Sequence, residues 1–237
     1  MKLTHFLLTA TSALALTITT HAASITWGAP TNITPGLAGD LNVSTAGSLV
    51  GAFNFAGIAT LVNSVNFQAF PLTGSTTTVG NFTLSSSFLS AVGTGIAAAP
   101  FSSLSGNYQI LLGSAAGSGS PMTLTMNGLT AGQNYLFEAW VNDSRDFTSP
   151  GFTFKVDVTA GNTVTLDPNT SIVVGGVGQY LVGTFNASSA SQQVEFFNSE
   201  FGVVNGFQLR QLAVVPEPGT AIFGLALCAV AGLRRRR

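Results

Sequence analysis

The sequence predicts an all-β domain, an antiparallel β-sandwich of the jelly-roll type, with one apolar helical segment at each end of the chain. Three observations predict it: short runs in which apolar and polar residues alternate, turn residues between these runs, and no long amphipathic helical pattern. A period of two places the apolar side chains on one face of each strand, which is the pattern that two packed sheets require.

The alternation is clearest at residues 152–159, where Phe152, Phe154, Val156 and Val158 alternate with polar residues. It predicts a strand with one buried face. Further strands are predicted at residues 24–27, 49–55, 65–70, 77–84, 122–127, 135–141, 163–166, 180–185, 193–197 and 204–212. Turns are predicted at Asn127-Gly128, Gly132-Gln133-Asn134, Gly161-Asn162, Gly175-Gly176 and Asn205-Gly206, because these residues tolerate a positive φ.

One region does not follow the strand pattern. Residues 101–115 have apolar side chains near helical spacing, which predicts a short helix. Residues 113–120 are rich in glycine and serine, which predicts a flexible loop.

The charge balance argues against a nucleic-acid partner. The predicted sandwich domain, residues 23–212, contains three basic and eight acidic residues, a net charge of −5. The basic residues are Arg145, Lys155 and Arg210. Three scattered cations on an acidic domain cannot neutralise a phosphate backbone.

The sandwich domain also lacks the residues of several common active sites. Both histidines, His5 and His21, precede it, and the one cysteine, Cys228, follows it. It therefore has no Ser-His-Asp or Cys-His site, no thiol redox centre and no ordinary zinc site. We expect a protein without enzymatic activity and without a cofactor.

The first 22 residues have the order of regions found in a secretory signal peptide. Lys2 supplies the positive charge, residues 6–18 are mostly apolar, and Thr20 and Ala22 are small residues at positions −3 and −1 of a cut after Ala22. A cut after Ala23 is the alternative. The segment predicts export by the secretion machinery.

The last 25 residues, 213–237, predict a membrane anchor. An uncharged run at about 219–233 follows a Pro-Glu-Pro sequence and precedes four arginines. The run is shorter than the roughly 20 residues that span a bilayer, but arginines can snorkel to the interface and extend its reach. Clustered arginines stay in the cytoplasm, so the preceding domain is expected outside it.

This combination resembles the PEP-CTERM sorting tail of Gram-negative-type bacteria. The residues that carry the resemblance are Pro216, Glu217, Pro218, Arg234, Arg235, Arg236 and Arg237, with the apolar run between them. The resemblance implies processing by an exosortase, a membrane protease-transpeptidase. It also implies anchoring in the inner membrane before processing, then a place at the cell surface or in an exopolysaccharide and biofilm matrix.

A second resemblance concerns the central domain. Residues 129–135, followed by Trp140-Val141-Asn142-Asp143, are similar to a stretch of galactose-binding-like and malectin-like jelly rolls, in which a Gly turn precedes a Tyr-bearing strand. It implies binding of a sugar or of matrix exopolysaccharide, with no binding residue transferable by position.

The densest polar cluster follows the strand that ends near Trp140: Asn142, Asp143, Ser144, Arg145 and Asp146. Amides and carboxylates can bind sugar hydroxyls, and an aromatic ring can stack on the sugar. Asp143 and Asp146 could instead bind Ca²⁺. The third interpretation is a loop in which Arg145 pairs with an aspartate and a side chain caps a turn.

Two further candidate sites are weaker. Asp40 and Asn42 alternate like the first ligands of a calcium loop, but the later ligands are missing, which favours a hydrogen-bonded turn. Glu138 and Asp157 lie on neighbouring predicted strands and could form the paired carboxylates of a glycoside hydrolase. Trp27 and Trp140 could be sugar platforms or packing residues.

Overall fold

The computed structural model describes residues 23–145, 155–198 and 200–213. The predicted signal segment, the predicted sorting segment beyond residue 213 and Asp146 lie outside these residues, as do Phe152 and Phe154. Across the described ranges, no helix combines the length and the apolar character needed to cross a bilayer.

Strands are the predominant secondary structure of the described chain and make up slightly less than half of it. The strands are β1 (Thr26–Trp27), β2 (Thr31–Asn32), β3 (Ser48–Phe55), β4 (Thr60–Val62), β5 (Val65–Phe70), β6 (Thr76–Val79), β7 (Phe82–Ser85), β8 (Ser90–Gly93), β9 (Ser114–Ser118), β10 (Met122–Asn127), β11 (Asn134–Val141), β12 (Val156–Thr159), β13 (Thr163–Leu166), β14 (Gln179–Asn186), β15 (Ser191–Phe197), β16 (Gly202–Val204) and β17 (Gly206–Gln211). Helix α1 is Gly106–Leu112, and two 3-10 helices are Leu37–Asn42 and Phe101–Ser103.

The strands form a β-sandwich of two large sheets and one small sheet. The eight-stranded sheet has the order β1-β14-β11-β17-β3-β5-β4, with β2 also paired to β14. The six-stranded sheet has the order β13-β12-β15-β10-β7-β6, and the small sheet has the order β16-β9-β8. Neighbouring strands are antiparallel except for β3 and β5, which are parallel.

The main core lies between the two large sheets. Its centre is a group of phenylalanines, in which the ring of Phe207 lies 5.4 Å from each of the rings of Phe53, Phe55 and Phe82. Phe137 from β11 packs on the same ring at 5.9 Å. Burial of these large rings makes a substantial apolar contribution to the stability of the fold.

A second core lies on the opposite face of the eight-stranded sheet, under α1. Tyr108 and Leu111 of α1 are fully buried there with Trp140 of β11 and Phe67 of β5. The hydroxyl of Ser105 caps α1 by accepting a hydrogen bond from the Tyr108 amide at 3.1 Å. Both faces of β11 are therefore buried, whereas a strand at the surface of a sandwich has one face exposed to solvent.

The structure confirms the predicted short helix and corrects the predicted flexible loop at residues 113–120. Residues Ser114–Ser118 form β9, whose small side chains allow close packing. A Cβ on Gly117 would approach Phe201 and Val92 to 2.6 Å, so a larger residue there would force these side chains to move. The predicted strand 77–84 is also corrected: it is two strands joined by a turn at Gly80, where φ is 57°.

The sandwich has two distinct ends. At the first, which we name the terminal end, Ser24 and Ala213 line the same groove with Asn134 and Asn186. The Leu212 amide donates to the Asn134 carbonyl at 2.8 Å, so the described chain enters and leaves close to the start of β11. Strand β11 finishes at Val141, and the loop that follows it marks the opposite, distal end.

Candidate functional site

The loop 142–145, which the sequence singles out as a ligand site, is largely buried at the distal end. Asn142 is fully buried, and its amide group donates to the Leu112 carbonyl at 3.2 Å and to the Ser144 hydroxyl at 3.1 Å. Its side-chain oxygen accepts a hydrogen bond from the Gly178 amide at 3.0 Å. Asn142 therefore links the end of α1 to the residue that precedes β14.

Asn205, between β16 and β17, extends the same network. Its side-chain nitrogen lies within hydrogen-bond distance of the carbonyls of Leu112 and Ser114 and of the hydroxyl of Thr94, at 2.9, 3.0 and 3.0 Å, and these three acceptors share its two hydrogens. Its oxygen accepts from the Asn142 backbone amide at 2.6 Å. Two buried asparagines thus hydrogen-bond backbone groups where five segments meet, at residues 94, 112–114, 142–144, 178 and 205, and so help to position these segments. Sequence reasoning missed Asn205, which appeared only as part of a turn signal.

Asp143 is engaged by Arg145 within the loop. The guanidinium forms an ion pair with the carboxylate at 2.6 Å and a second hydrogen bond from Nε at 2.9 Å, and the Asp143 side chain is only 3% exposed. The Arg145 backbone amide also donates to this carboxylate at 3.1 Å. This geometry corresponds to the interpretation in which Arg145 pairs with an aspartate and a side chain caps the turn.

Trp140 offers no ring face to a sugar, since it is fully buried, and its ring lies edge-on to Phe67 at 5.4 Å. Trp27 is 9% exposed and packs edge-on against Phe137 at 6.0 Å. A stacking platform needs an exposed ring, so the structure places both tryptophans in packing roles.

The candidate calcium ligands at residues 40 and 42 have other partners. Asp40 accepts a hydrogen bond from the Ser105 hydroxyl at 2.6 Å, which ties the first 3-10 helix to the start of α1. Asn42 accepts from the Thr34 amide at 2.8 Å. Across the described ranges, no three histidine, cysteine, aspartate or glutamate side chains lie close enough together to hold a metal ion.

The two carboxylates considered for hydrolysis do not share a cleft. Phe137 and Ala139 of β11 point into the main core, so Glu138 points away from it, beneath the second core. Val156 and Val158 of β12 point into the same core, so Asp157 faces outward from the other sheet, where Thr165 donates to it at 2.5 Å. The whole main core separates the two groups, and the predicted pair is corrected on that ground.

Glu138 is instead the centre of a buried polar cluster, which we name the Glu138 cluster: Ser44, Tyr108, Glu138, Trp140, Gln208 and Arg210. One carboxyl oxygen, Oε2, accepts hydrogen bonds from the Ser44 amide at 3.0 Å and from the Gln208 side chain at 2.5 Å. Burial raises the pKa of Glu138 to about 7, against the opposing effects of these hydrogen bonds and of Arg210. Near neutral pH the carboxyl is therefore partly protonated.

Arg210 clamps the loop that covers this cluster. Its Nε donates to the Ala46 carbonyl at 2.6 Å, and its terminal nitrogen donates to the carbonyls of Thr45 and Gly47 at 3.1 and 2.9 Å. A second terminal nitrogen donates to the Gln208 side chain at 3.2 Å. The planar guanidinium thus fixes three successive carbonyls of the loop over the sheet.

Three buried polar atoms of the cluster make no hydrogen bond of ordinary geometry within the described part of the chain: Glu138 Oε1, Tyr108 Oη and Trp140 Nε1. Burial raises the pKa of Tyr108, the nearby Glu138 carboxylate adds to that effect, and the side chain of Trp140 opposes it. The sequence contained one signal of this cluster, an acidic residue inside a strand that is otherwise apolar on both faces.

The distal end also carries an open groove of about 480 Å³ beside α1. Ile58, Ile96, Phe101 and Ile110 give it a mainly apolar lining, with Gln109 as one of its polar residues. None of the described residues that line it has a titratable side chain.

Comparison with known proteins gives little further guidance. No family model matches the chain, and no curated protein matches it. Among solved structures, the crystal structure of the ANX1 ectodomain from Arabidopsis thaliana is similar at 14% sequence identity and a TM-score of 0.42. The match covers 68% of this chain and 41% of that chain, so this chain corresponds to less than half of the ectodomain.

Proposed function

We propose that this chain is an exported, surface-sorted, non-enzymatic protein of the bacterial envelope or of an extracellular polysaccharide matrix. In this proposal its domain is a jelly-roll sandwich, and an exosortase-type enzyme processes its tail. The observation that carries the proposal is the sequence of the tail: Pro216, Glu217 and Pro218, the apolar run 219–233 and the arginines at 234–237.

The positions of the chain ends support the proposal. Ser24 and Ala213 line one groove at the terminal end, so the predicted signal and the predicted tail attach at the same end of the sandwich. An anchor at that end leaves the distal end and both outer sheet faces free of the membrane. The polar residues of loop 142–145 are used to hold the fold, which supports a scaffold without a catalytic centre.

The tail motif can be tested in a host that has an exosortase. Pro216→Ala, Glu217→Ala and Pro218→Ala are combined in one variant, with Val214→Ala and Val215→Ala as the matched control just before the motif. We expect the control and the natural chain to be shortened and to reach the cell surface, and the triple variant to remain full-length in the inner membrane. A natural chain that stays full-length in the cytosol would refute the proposal.

The second candidate function is a carbohydrate-binding module of the matrix, favoured by the groove of about 480 Å³ at the end remote from the tail. A glycan-array screen of the full chain, with and without calcium, tests it. Saturable binding that Gln109→Ala abolishes, while the exposed-strand variant Asn66→Ala preserves it, would establish the groove as the site. Absence of saturable binding to any glycan would reject this candidate.

A further inference from the structure

The two edge strands of the six-stranded sheet each have one strand partner. Among the described residues, β6 pairs only with β7 and β13 pairs only with β12, so the outer edge of each strand carries backbone groups without a strand partner. Beside β13, Ile25 bridges to Gly161 in the preceding turn, and β14 of the other sheet lies nearby. The outer edges of the other large sheet are shorter, since β4 has three residues and β1 and β2 have two each.

Soluble proteins usually protect such edges against pairing with another chain by lysine, proline, a bulge or an inward charge. β6 has the sequence Thr-Thr-Thr-Val, and β13 has the sequence Thr-Val-Thr-Leu. Neither contains a charged residue or a proline, and each pairs with its inner neighbour in an uninterrupted register. Both edges are therefore regular and uncharged.

The two edges also match each other in direction. All five pairings in this sheet are antiparallel, and the number of strands is even, so β6 and β13 run in opposite directions. A second copy can be placed beside the first by a translation, together with the rotation that sheet twist imposes. Its β6 then lies antiparallel to β13 of the first copy.

The side chains match as well. In β13, Val164 and Leu166 pack toward the main core while Thr163 and Thr165 are exposed; in β6, Val79 packs toward the core while Thr76 and Thr78 are exposed. Both strands have four residues and two outward threonines. Antiparallel pairing would extend the threonine row of the outer face, where the hydroxyls of Thr78 and Thr83 already lie 2.9 Å apart.

We propose that copies of this chain associate edge to edge, with β13 of one copy pairing with β6 of the next and continuing the six-stranded sheet. The partner is a second copy of the same chain. Because the two edges differ, the contact is heterologous, so a dimer keeps one open β6 edge and one open β13 edge to which further copies can add. The inference concerns self-association of the domain and holds whether or not the tail is processed.

Chemical cross-linking of the full chain in detergent tests the arrangement. In a Cys228→Ser background, Thr78→Cys and Thr163→Cys are made singly and together, and a short bis-maleimide is added. We expect the double variant to give a ladder of dimers, trimers and larger species, an equal mixture of the single variants to give dimers, and each single variant alone to remain monomeric. Thr125→Cys, on the outer face of the central strand β10, is the control for random collision.

A charge placed on the edge provides the second arm. Thr76 is exposed, and among the described residues its side chain makes no hydrogen bond, so Thr76→Lys added to the double variant should reduce the trimer yield about tenfold or more. Thr125→Lys adds the same charge away from the edge and should leave the ladder unchanged. Thermal unfolding midpoints measured for both lysine variants show whether the fold is intact.

Three results would overturn the proposal. The first is a double variant that cross-links no more than the Thr125→Cys control. The second is a single variant that cross-links to itself as efficiently as the mixture, which would indicate pairing of identical edges. The third is a ladder that Thr76→Lys leaves unchanged. Export and tail processing are measured in cells, so failure of the proposed function would not be confused with any of these results.

Discussion

The two faces of β11 are both buried, but different kinds of interaction stabilise each face. On the inner face, Phe137 and Ala139 join a core made of apolar side chains from two sheets. On the outer face, Glu138 and Trp140 lie beneath α1 and a loop that Arg210 clamps by hydrogen bonds. The inner face depends on packing, which pH hardly alters, while the outer face depends on charges and oriented donors, which pH does alter.

The largest expected effect tests the inner face. Phe207→Ala removes the ring on which Phe53, Phe55, Phe82 and Phe137 converge. We expect a loss of about 3–5 kcal/mol in the free energy of unfolding, because a large ring is replaced by a cavity. Urea denaturation measures it. Phe197→Ala, at a side chain 39% exposed, is the control and should cost far less; equal losses would contradict the assigned core.

The second effect tests the outer face through pH. The pKa of Glu138 is about 7 in the folded chain against an ordinary value of 4.5, so the folded chain binds the proton more tightly than the unfolded chain. Its contribution to stability is fully present below the unfolded-state pKa and is lost as pH rises through about 7. Between about pH 5 and about pH 8 we expect the natural chain to lose about 2–3 kcal/mol of unfolding free energy from this group.

Glu138→Gln isolates that contribution, because glutamine keeps the shape and does not titrate. The difference in unfolding free energy between the natural chain and the variant should change with pH over this interval, measured by urea denaturation at a series of pH values. Asp157→Asn is the matched control at a carboxylate on the exposed face of β12. A difference that stays constant with pH would show that the carboxyl of Glu138 is ionised throughout.

The third effect tests the buried polar network at the distal end, where Asn205 hydrogen-bonds buried backbone groups. Asn205→Leu leaves the carbonyls of Leu112 and Ser114 without this donor. We expect a loss of about 1–3 kcal/mol in the free energy of unfolding. Asn66→Leu, at an exposed strand position, should stay within about 0.5 kcal/mol of the natural chain. If both variants cost the same, the buried network would have no special role.

The smallest effect concerns calcium. The Asp143 carboxylate is paired with Arg145, and Asp40 accepts from Ser105, so neither group is set up as an open calcium ligand. A ligand that binds only the folded chain raises its stability. We therefore expect the thermal unfolding midpoint to be the same with millimolar calcium and with a chelator. A calcium-dependent rise would restore the calcium interpretation of these residues.

The periodicity of the sequence predicted much of this fold. In β11 alternate residues share a face of the strand, so the sequence puts Phe137 and Ala139 on one face and Glu138 and Trp140 on the other, as the structure has them. It could not show that α1 covers the second face, because that depends on contacts between residues distant in the chain. For this reason Trp140 was a candidate sugar platform in the sequence and is a packing residue in the structure.

The composition of β9 misled the sequence interpretation for a related reason. Glycine and serine usually indicate a loop, but in β9 small side chains are needed because Val92 and Phe201 lie against Gly117. The secondary-structure propensity of a short segment contains no information about residues distant in the sequence that pack against it. Asn205 was missed likewise, since its three acceptors lie on segments about a hundred residues earlier.

The position of β17 has a mechanical consequence. The strand lies between β11 and β3, and the segment that leads to the tail begins where it ends. If the tail is held while the distal end is pulled, the force runs along β17 and loads its pairings to both neighbours in shear. Those pairings cover six residues on each side of β17. Many backbone hydrogen bonds must therefore break together before the domain unfolds.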